Sequence, residues 1–220
     1  ARLVGAPYVL SPLGEGEGVD PDPRFRLDAF DCTTFVETAM SLAMANEAKD
    51  VRVLLDRIRY SEGTPPTFAT RRHLIATQWL PELAAAGLVR DVTEEIGGPR
   101  TEWLAIVSSQ ERWRKRRVAR TLELPPDRIP IGTFRLPYVS IAAASTLIDR
   151  IPSGTILELV RADVPHSPTV VTHQGIVFAT ERGHVLRHAS PVAMRVVDEP
   201  LERILRRYAK PRSWPILGLN

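Results

Sequence analysis

The sequence contains one cysteine and no apolar run long enough to cross a bilayer. A single cysteine rules out an internal disulfide and the zinc sites that are built from several cysteines. Residues Ala1 to Tyr8 also lack the charged, apolar and small-residue zones of a secretion signal, so we expect the chain as given to be soluble. A mature form from which a signal was removed is equally compatible with this start.

The chain also has little excess charge of either sign. Its formal net charge is +3, and acidic and basic residues are interspersed along it. The most basic segment, Arg112 to Arg117 with Arg120, is short and isolated, which favours a solvated helix face over a nucleic-acid or membrane surface. We therefore predict no nucleic-acid partner, and contact with an anionic polymer is a milder alternative.

Length and hydrophobic content predict one globular domain over residues 1–220, with 44% of residues hydrophobic. The segment from Ala1 to Ala29 is rich in Gly, Pro and Asp and is typical of a loop. Helical spacing of apolar residues begins after Asp31, which is a good N-cap. Similar spacing predicts further helices at Val51 to Tyr60, Arg72 to Ala86, Gln110 to Arg120, Ser140 to Arg150 and Leu201 to Ala209.

After Pro152 the pattern changes to alternation and β-branched residues, which predicts an antiparallel meander. A mainly helical first two thirds followed by strands indicates an α+β fold, with the helices packed on a C-terminal antiparallel sheet or small barrel. The segment Trp214-Pro-Ile-Leu-Gly is a candidate to close that sheet. The four strands of the meander are predicted at Thr155 to Val160, Thr169 to Ala179, His184 to Ala189 and Ala193 to Val197.

Cys32 follows the predicted N-cap and therefore lies in the first turn of a buried helix. Unpaired backbone N–H groups and the aligned peptide dipoles favour a thiolate at that position. The same N–H groups can hold the oxyanion that forms when sulfur attacks a carbonyl. A lone cysteine is more often a small buried hydrophobe, so its partners decide between the two interpretations.

A nucleophilic cysteine needs an imidazole on a rigid element, and His173 begins a predicted strand. His188 lies on the returning strand of the hairpin, where it can orient the His173 ring through its second nitrogen. Ser190, two residues further on and on the same strand face, is the alternative third member. The order cysteine, histidine, polar residue is that of papain-like proteases.

The segment Phe30-Asp-Cys-Thr-Thr-Phe-Val-Glu37 resembles the nucleophile motif of the NlpC superfamily of papain-like cysteine hydrolases. His173-Gln-Gly-Ile and His188-Ala-Ser resemble its two later motifs, and Gly5-Ala-Pro-Tyr8 resembles the stretch that precedes the cysteine. The whole chain is similar to a narrower family, the N-acetylmuramoyl-L-alanine amidase-like family, domain of unknown function 1460. The pattern includes Ile58-Arg-Tyr, Arg72-His with Trp79, Asp91-Val-Thr, Leu136-Pro-Tyr and Pro152-Ser-Gly.

The resemblance implies a bacterial peptidoglycan hydrolase that cuts the amide bond between the lactyl group of N-acetylmuramic acid and L-alanine. Cys32 would be the nucleophile, His173 its base and His188 the residue that orients it. Tyr8 would support the oxyanion, and neither a metal nor another cofactor is required. The substrate implies a periplasmic or cell-envelope location, and we expect a monomer.

Substrate contacts are predicted at Arg72, His73 and Tyr138, because an arginine fork suits the carboxylates of a muropeptide. An ion pair on a helix face with a capping histidine is an equally good account of Arg72 and His73. Two alternative functions remain open at this point. One is an endopeptidase that cuts after D-glutamate in the stem peptide, and the other is a wall-binding module without catalytic activity.

Overall fold

The computed structural model describes residues 3–115, 124–164, 167, 169–210 and 216–220. Within these ranges the chain forms an α+β fold, as the sequence predicts. The helices are α1 (Cys32–Met44), α2 (Asp50–Arg59), α3 (Leu80–Ala85), α4 (Thr93–Gly97), α5 (Gln110–Lys115), α6 (Ile141–Ala144) and α7 (Leu201–Tyr208). The strands are β1 (Thr101–Ser108), β2 (Gly132–Ser140), β3 (Ile156–Arg161), β4 (Val171–Thr180), β5 (Gly183–Ser190), β6 (Arg195–Pro200) and β7 (Ile216–Leu219).

All seven of these strands belong to one antiparallel sheet with the order β1-β2-β7-β3-β4-β5-β6. Strands β3 to β6 form the predicted meander, each within three residues of its expected bounds. β7 lies in the middle of the sheet, between β2 and β3. Because β1 and β6 are its two edges in the described part of the chain, the sheet is open and the small-barrel alternative is wrong.

The prediction that the first two thirds are mainly helical is wrong for β1 and β2. These strands pair over eight residues, from Thr101 opposite Val139 to Ser108 opposite Gly132. Sequence periodicity did not reveal them, because their stability comes from pairing across an intervening segment of more than twenty residues. β2 takes the first residue, Ser140, of the helix predicted from Ser140 to Arg150.

Two predicted helices are broken in the structure. The segment from Ser140 to Arg150 contains the single turn α6 and a separate 3₁₀ turn, Ile148–Arg150. In the segment from Arg72 to Ala86, regular structure begins only with a π-helical turn, Ile75–Trp79, which continues into α3. Pro81 suits the start of α3, because a proline is tolerated in the first turn of a helix and not in its interior.

The two faces of the sheet carry different helices. On one face α1 packs against β4 and β5, and Phe35 and Trp79 share a buried cluster with Ala189 of β5. On the other face α6 and α7 cover Val177 and Leu186. The sheet is therefore buried between two helical layers, and the first turn of α1 lies close to β4.

A buried ion pair joins α1 to α2. Glu37 and Arg59 are each 3% exposed and lie 2.5 Å apart, and Trp79 Nε1 donates to the second oxygen of Glu37. Arg59 also donates to the carbonyl of Leu13, which lies in the N-terminal loop. This network holds the loop from Ser11 to Ala29 against the helices, although its sequence has no periodic structure.

The basic segment is described only in part. Arg112 forms an ion pair with Asp163 at 2.8 Å, and Trp113 is buried, so both hold α5 against the rest of the fold. Arg116, Arg117 and Arg120 lie outside the described residues, as do Trp214 and Pro215 of the closing segment. Within the described ranges, no helix combines the length and apolarity that a membrane crossing demands.

Candidate active site

A capping box fixes the first turn of α1. Asp31 Oδ1 accepts the Thr34 N–H at 2.8 Å, and Thr34 Oγ1 accepts the Asp31 N–H at 3.0 Å. The side chain of Asp31 also accepts the Ser11 N–H, so the N-terminal loop is joined to the same cap. This reciprocal pairing defines where the helix begins and therefore where the Cys32 side chain is held.

The Cys32 thiol lies against β4. The backbone N–H groups of Gln174 and Thr33 and the Thr33 hydroxyl are near enough to the sulfur to favour its ionised form. Gln174 is the residue that follows His173. The structure therefore places the sulfur beside the strand that carries the predicted base.

Burial raises the pKa of the Cys32 thiol to about 11, and the negative charge of Asp31 acts in the same direction. The N–H groups of Gln174 and Thr33 lower the pKa by a smaller amount. The expectation of a thiolate at rest is thus corrected, because desolvation outweighs the helix N-terminus. In the free protein Cys32 is therefore a neutral thiol.

This ionisation state predicts slow alkylation at neutral pH. With a thiol pKa of about 11, the labelling rate of Cys32 by iodoacetamide should rise roughly tenfold per pH unit between pH 7 and 10. A small cysteine peptide measured alongside should reach its plateau within about one unit above its ordinary pKa of about 8.5. A labelling rate for the protein that is already constant at pH 7 would mean that the thiolate is preformed.

His173 and His188 are in direct contact. His173 Nε2 lies 2.6 Å from His188 Nδ1, and the two rings are edge to face at 83°. Both residues are buried, with exposed fractions of 8% and 3%. Burial, together with the smaller effects of His188 and Arg207, lowers the pKa of His173 to about 3, so the imidazole is neutral at rest.

The two candidates for the third position differ in their contacts. His188 bonds to His173, whereas the Ser190 hydroxyl accepts the Ala193 N–H within the β5–β6 turn. A direct bond between Cys32 and His173 is not among the hydrogen bonds of the described residues. The structure therefore brings the two histidines together and places the thiol at the adjacent backbone amide.

Glu199 and Arg207 extend the contacts that begin with His173 and His188. Glu199 Oε2 lies 3.5 Å from His188 Nε2, and its other oxygen accepts from Arg207 of α7. Sequence reasoning missed Glu199 because it ended the last strand at Val197, and it placed Arg207 on a helix without connecting it to the site. β6 extends to Pro200, and alternation places Glu199 on the face of Val197, which lies opposite His188.

Close packing at Gly175 sets the distance between the two histidine strands. A Cβ built on Gly175 would lie 2.9 Å from the carbonyl oxygen of Arg187, 2.9 Å from the Cβ of His188 and 2.7 Å from Leu186 Cγ. A real side chain therefore requires β4 and β5 to move apart. Close packing of β4 against β5 therefore explains why the His173-Gln-Gly motif contains a glycine.

The substitution Gly175→Ala is expected to lower stability by about 1–3 kcal/mol through overpacking. It should also reduce activity at least tenfold, because it lengthens the contact between His173 and His188. Urea unfolding and hydrolysis assays measure the two effects. Gly63→Ala is a control for destabilisation away from the site. Its φ of +71° strains an alanine, but a Cβ there meets nothing within 4 Å, so stability should fall while activity is unchanged. Unchanged activity in Gly175→Ala would show that the spacing of the strands is not limiting.

Tyr8, the predicted support for the oxyanion, is close enough to Cys32 to feel its charge. Burial raises the pKa of Tyr8, and the charges of Cys32 and Asp31 raise it further. The backbone N–H of Tyr8 donates to the Met194 carbonyl. Tyr8 itself forms an isolated bridge with Phe30, two residues before Cys32.

The three predicted substrate contacts have internal partners instead. Arg72 is 4% exposed and donates to Glu82 and to the carbonyls of Arg57 and Ile58. His73 Nε2 bonds to the Phe68 carbonyl, and burial lowers the pKa of His73 to about 4. These contacts favour the structural account of both residues, so neither is retained as a substrate contact.

Tyr138 is also away from the thiol. Its hydroxyl donates to Glu102 on the neighbouring strand β1. β7 and β3 separate β2, which carries Tyr138, from β4, which carries His173. At about 4.8 Å per strand this places the two strands roughly 14 Å apart.

A family model, AmiA-like (N-acetylmuramoyl-L-alanine amidase-like), matches residues 1–210. The chain belongs to this amidase-like family. The match extends over most of the sequence and includes the nucleophile motif and both histidines. No curated protein sequence matches the chain.

Solved structures show the same fold. A Legionella pneumophila str. Philadelphia 1 protein of family DUF1460 superposes with a TM-score of 0.84 at 23% identity, covering 99% of this chain and 84% of its own. A Bacteroides uniformis N-acetylmuramoyl-L-alanine amidase gives 0.75 at 24% identity, covering 100% and 95%. A xylanase candidate from Bacteroides fragilis gives 0.74 at 23% identity, covering 99% and 95%. At these identities the likeness shows the fold alone.

Proposed function

We propose that this amidase-like family member is a cysteine-dependent N-acetylmuramoyl-L-alanine amidase with a papain-like, NlpC-type catalytic domain over residues 1–220. The observation that carries the proposal is the arrangement around β4. Cys32, at the start of α1, contacts the amide of Gln174, and the preceding residue, His173, is bonded to His188. The proposed base and its orienting group are thus in direct contact, and the thiol lies at the backbone of the residue that follows the base.

In the proposed reaction, His173 takes the proton of the neutral Cys32 thiol as the sulfur attacks the lactyl amide carbon. The N–H groups at the start of α1 stabilise the oxyanion, with the Tyr8 hydroxyl as a further donor. The carbon–nitrogen bond then breaks, and His173 returns the proton to the departing L-alanine amine. A water molecule next gives a proton to His173 and attacks the thioester, which releases the lactyl carboxyl group and restores the thiol.

The neutral resting states fit this sequence of steps. A thiol with a pKa of about 11 and an imidazole with a pKa of about 3 do not form an ion pair before substrate arrives. Transfer of the Cys32 proton to His173 is then coupled to attack of the sulfur on the amide. The His173 imidazolium forms only during this attack, when it can protonate the departing amine. His188 orients His173 throughout this cycle. The substrate implies action in the periplasm or cell envelope.

Mass spectrometry of products tests the proposal. Purified muropeptides are incubated with the wild type and with Cys32→Ala, and the fragments are compared. The proposed amidase releases a peptide with a free L-alanine amine and a sugar with a free lactyl carboxyl group. A sugar that retains an L-Ala-D-Glu dipeptide would instead identify the endopeptidase. Equal digestion by both proteins would exclude Cys32 as nucleophile, and binding of sacculi without any product would indicate a wall-binding module.

A further inference from the structure

We propose that Glu199 is a positioning residue that acts through His188 to keep the Nδ1 atom of His173 unprotonated and able to accept the thiol proton. This inference rests on the proposed function, in which His173 is the base. It adds to that function the group that selects the tautomer of the base.

The argument begins at the carboxylate of Glu199, which is 8% exposed and lies between two helical arginines and a histidine. Its Oε1 atom faces Arg207 and Arg203, which are four residues apart on α7. Its Oε2 atom faces His188 Nε2 at 3.5 Å. The two guanidinium groups thus hold the carboxylate by one oxygen and leave the other for the histidine.

His188 Nε2 has no hydrogen-bond partner within normal limits in the described part of the chain, and Glu199 is the nearby acceptor. A carboxylate accepts hydrogen bonds and donates none. A proton on His188 Nε2 therefore makes a favourable contact, whereas a lone pair there would face the lone pairs of Glu199. A slight closing of the 3.5 Å separation completes a charge-assisted bond.

The remaining protons follow from this assignment. A neutral His188 with its proton on Nε2 presents a lone pair at Nδ1, which lies 2.6 Å from His173 Nε2. His173 must then donate from Nε2 and carry its own lone pair on Nδ1. In the opposite arrangement His173 would be protonated on Nδ1 and could not accept a proton there. Burial lowers the pKa of His188, and the negative charge of Glu199 opposes this lowering, whereas Arg207 adds to it. The carboxylate therefore favours an imidazolium that forms next to it.

The substitution Glu199→Gln is the sharpest test. The amide oxygen of the new side chain is expected to turn toward the arginine donors, which leaves its NH₂ group facing His188. That group donates to His188 Nε2, so both histidine tautomers should invert. Histidine ¹⁵N NMR at pH 7 should show protonated Nε2 atoms in the wild type and protonated Nδ1 atoms in Glu199→Gln, with signals assigned from His173→Gln and His188→Gln.

Inverted tautomers should lower kcat on the order of 100-fold with little change in KM. Glu199→Asp should recover part of this loss, because it restores an acceptor. Glu202→Gln is a matched control, since Glu202 lies on α7, is 69% exposed and pairs with Arg206. The histidine tautomers and the kcat of Glu202→Gln should equal those of the wild type.

The NMR measurement does not require activity, so it separates this inference from the proposed function. If Glu199→Gln inverts the tautomers but the wild type cleaves no muropeptide, the role of Glu199 in setting the tautomers would be supported and the proposed amidase activity rejected. Wild-type tautomers in Glu199→Gln would overturn the inference, even if thermal melting showed a loss of stability. That result would reduce Glu199 to a structural ion-pair partner.

Discussion

Cys32→Ala and His173→Ala are each expected to lower amide hydrolysis by roughly four orders of magnitude or more, and the double variant should be no slower than the slower single variant. Nucleophile and base act as one unit, so loss of either leaves the other without a role. The residual rate would come from binding and oxyanion stabilisation alone. Release of the L-alanine amine from a muropeptide, followed over time, measures all three variants.

The losses should not reflect unfolding. Cys32 is only partly buried, and its replacement by alanine removes one sulfur atom from a turn whose capping bonds are made by Asp31 and Thr34. His184→Ala is the control for loss of an imidazole, because His184 lies on the same hairpin and bonds to the Ile151 carbonyl, away from the thiol. Rate losses that multiply in the double variant would indicate that Cys32 and His173 act independently and would contradict the proposed mechanism.

Arg59→Met is expected to destabilise the fold by about 3–5 kcal/mol, the largest effect on stability that we predict. The substitution leaves Glu37 in the interior with only the Trp79 indole as a partner. It also removes the donor to the Leu13 carbonyl, which holds the N-terminal loop. Burial already raises the pKa of Glu37, and Arg59 is the main influence that lowers it, so the carboxylate should become protonated in the variant.

Urea unfolding at pH 7 measures this effect. Glu37→Gln introduced into the Arg59→Met background should recover part of the loss, because it removes the cost of protonating the buried carboxylate at pH 7 and keeps an acceptor for Trp79. Arg90→Met is the surface control. Arg90 and Glu95 form an ion pair, but each side chain is about two-thirds exposed or more. The free energy of unfolding of that variant should therefore fall by less than about 1 kcal/mol. Equal losses in Arg59→Met and Arg90→Met would show that burial of the pair is not decisive.

Local sequence signals predicted the elements whose stability is local. Asp31 as N-cap, α2 and α7 are within about one residue of their expected positions, since caps and helical periodicity act over a few residues. Alternation located β3 to β6. The strands β1 and β2 and the central position of β7 were not predictable, because each depends on pairing with a segment distant in sequence.

The features of the site likewise divide into those that local sequence predicts and those that depend on distant contacts. Cys32, His173 and His188 belong to motifs that can be recognised in the sequence, and the contact between the histidines agrees with their predicted positions. The ionisation of the thiol was predicted with the wrong sign, because the sequence shows the helix N-terminus but not the depth of burial. For Arg72 the sequence left two accounts open, and the structure favours the ion pair, since its three internal acceptors come from α2 and α3.

The insertion of β7 between β2 and β3 has a consequence for how the protein is made. During synthesis on the ribosome, the β1–β2 pair and the β3–β6 meander emerge well before the strand that joins them. Until β7 arrives, each half sheet has an unsatisfied row of backbone groups facing the gap. The nascent chain should therefore depend on protection from aggregation until β7 is released.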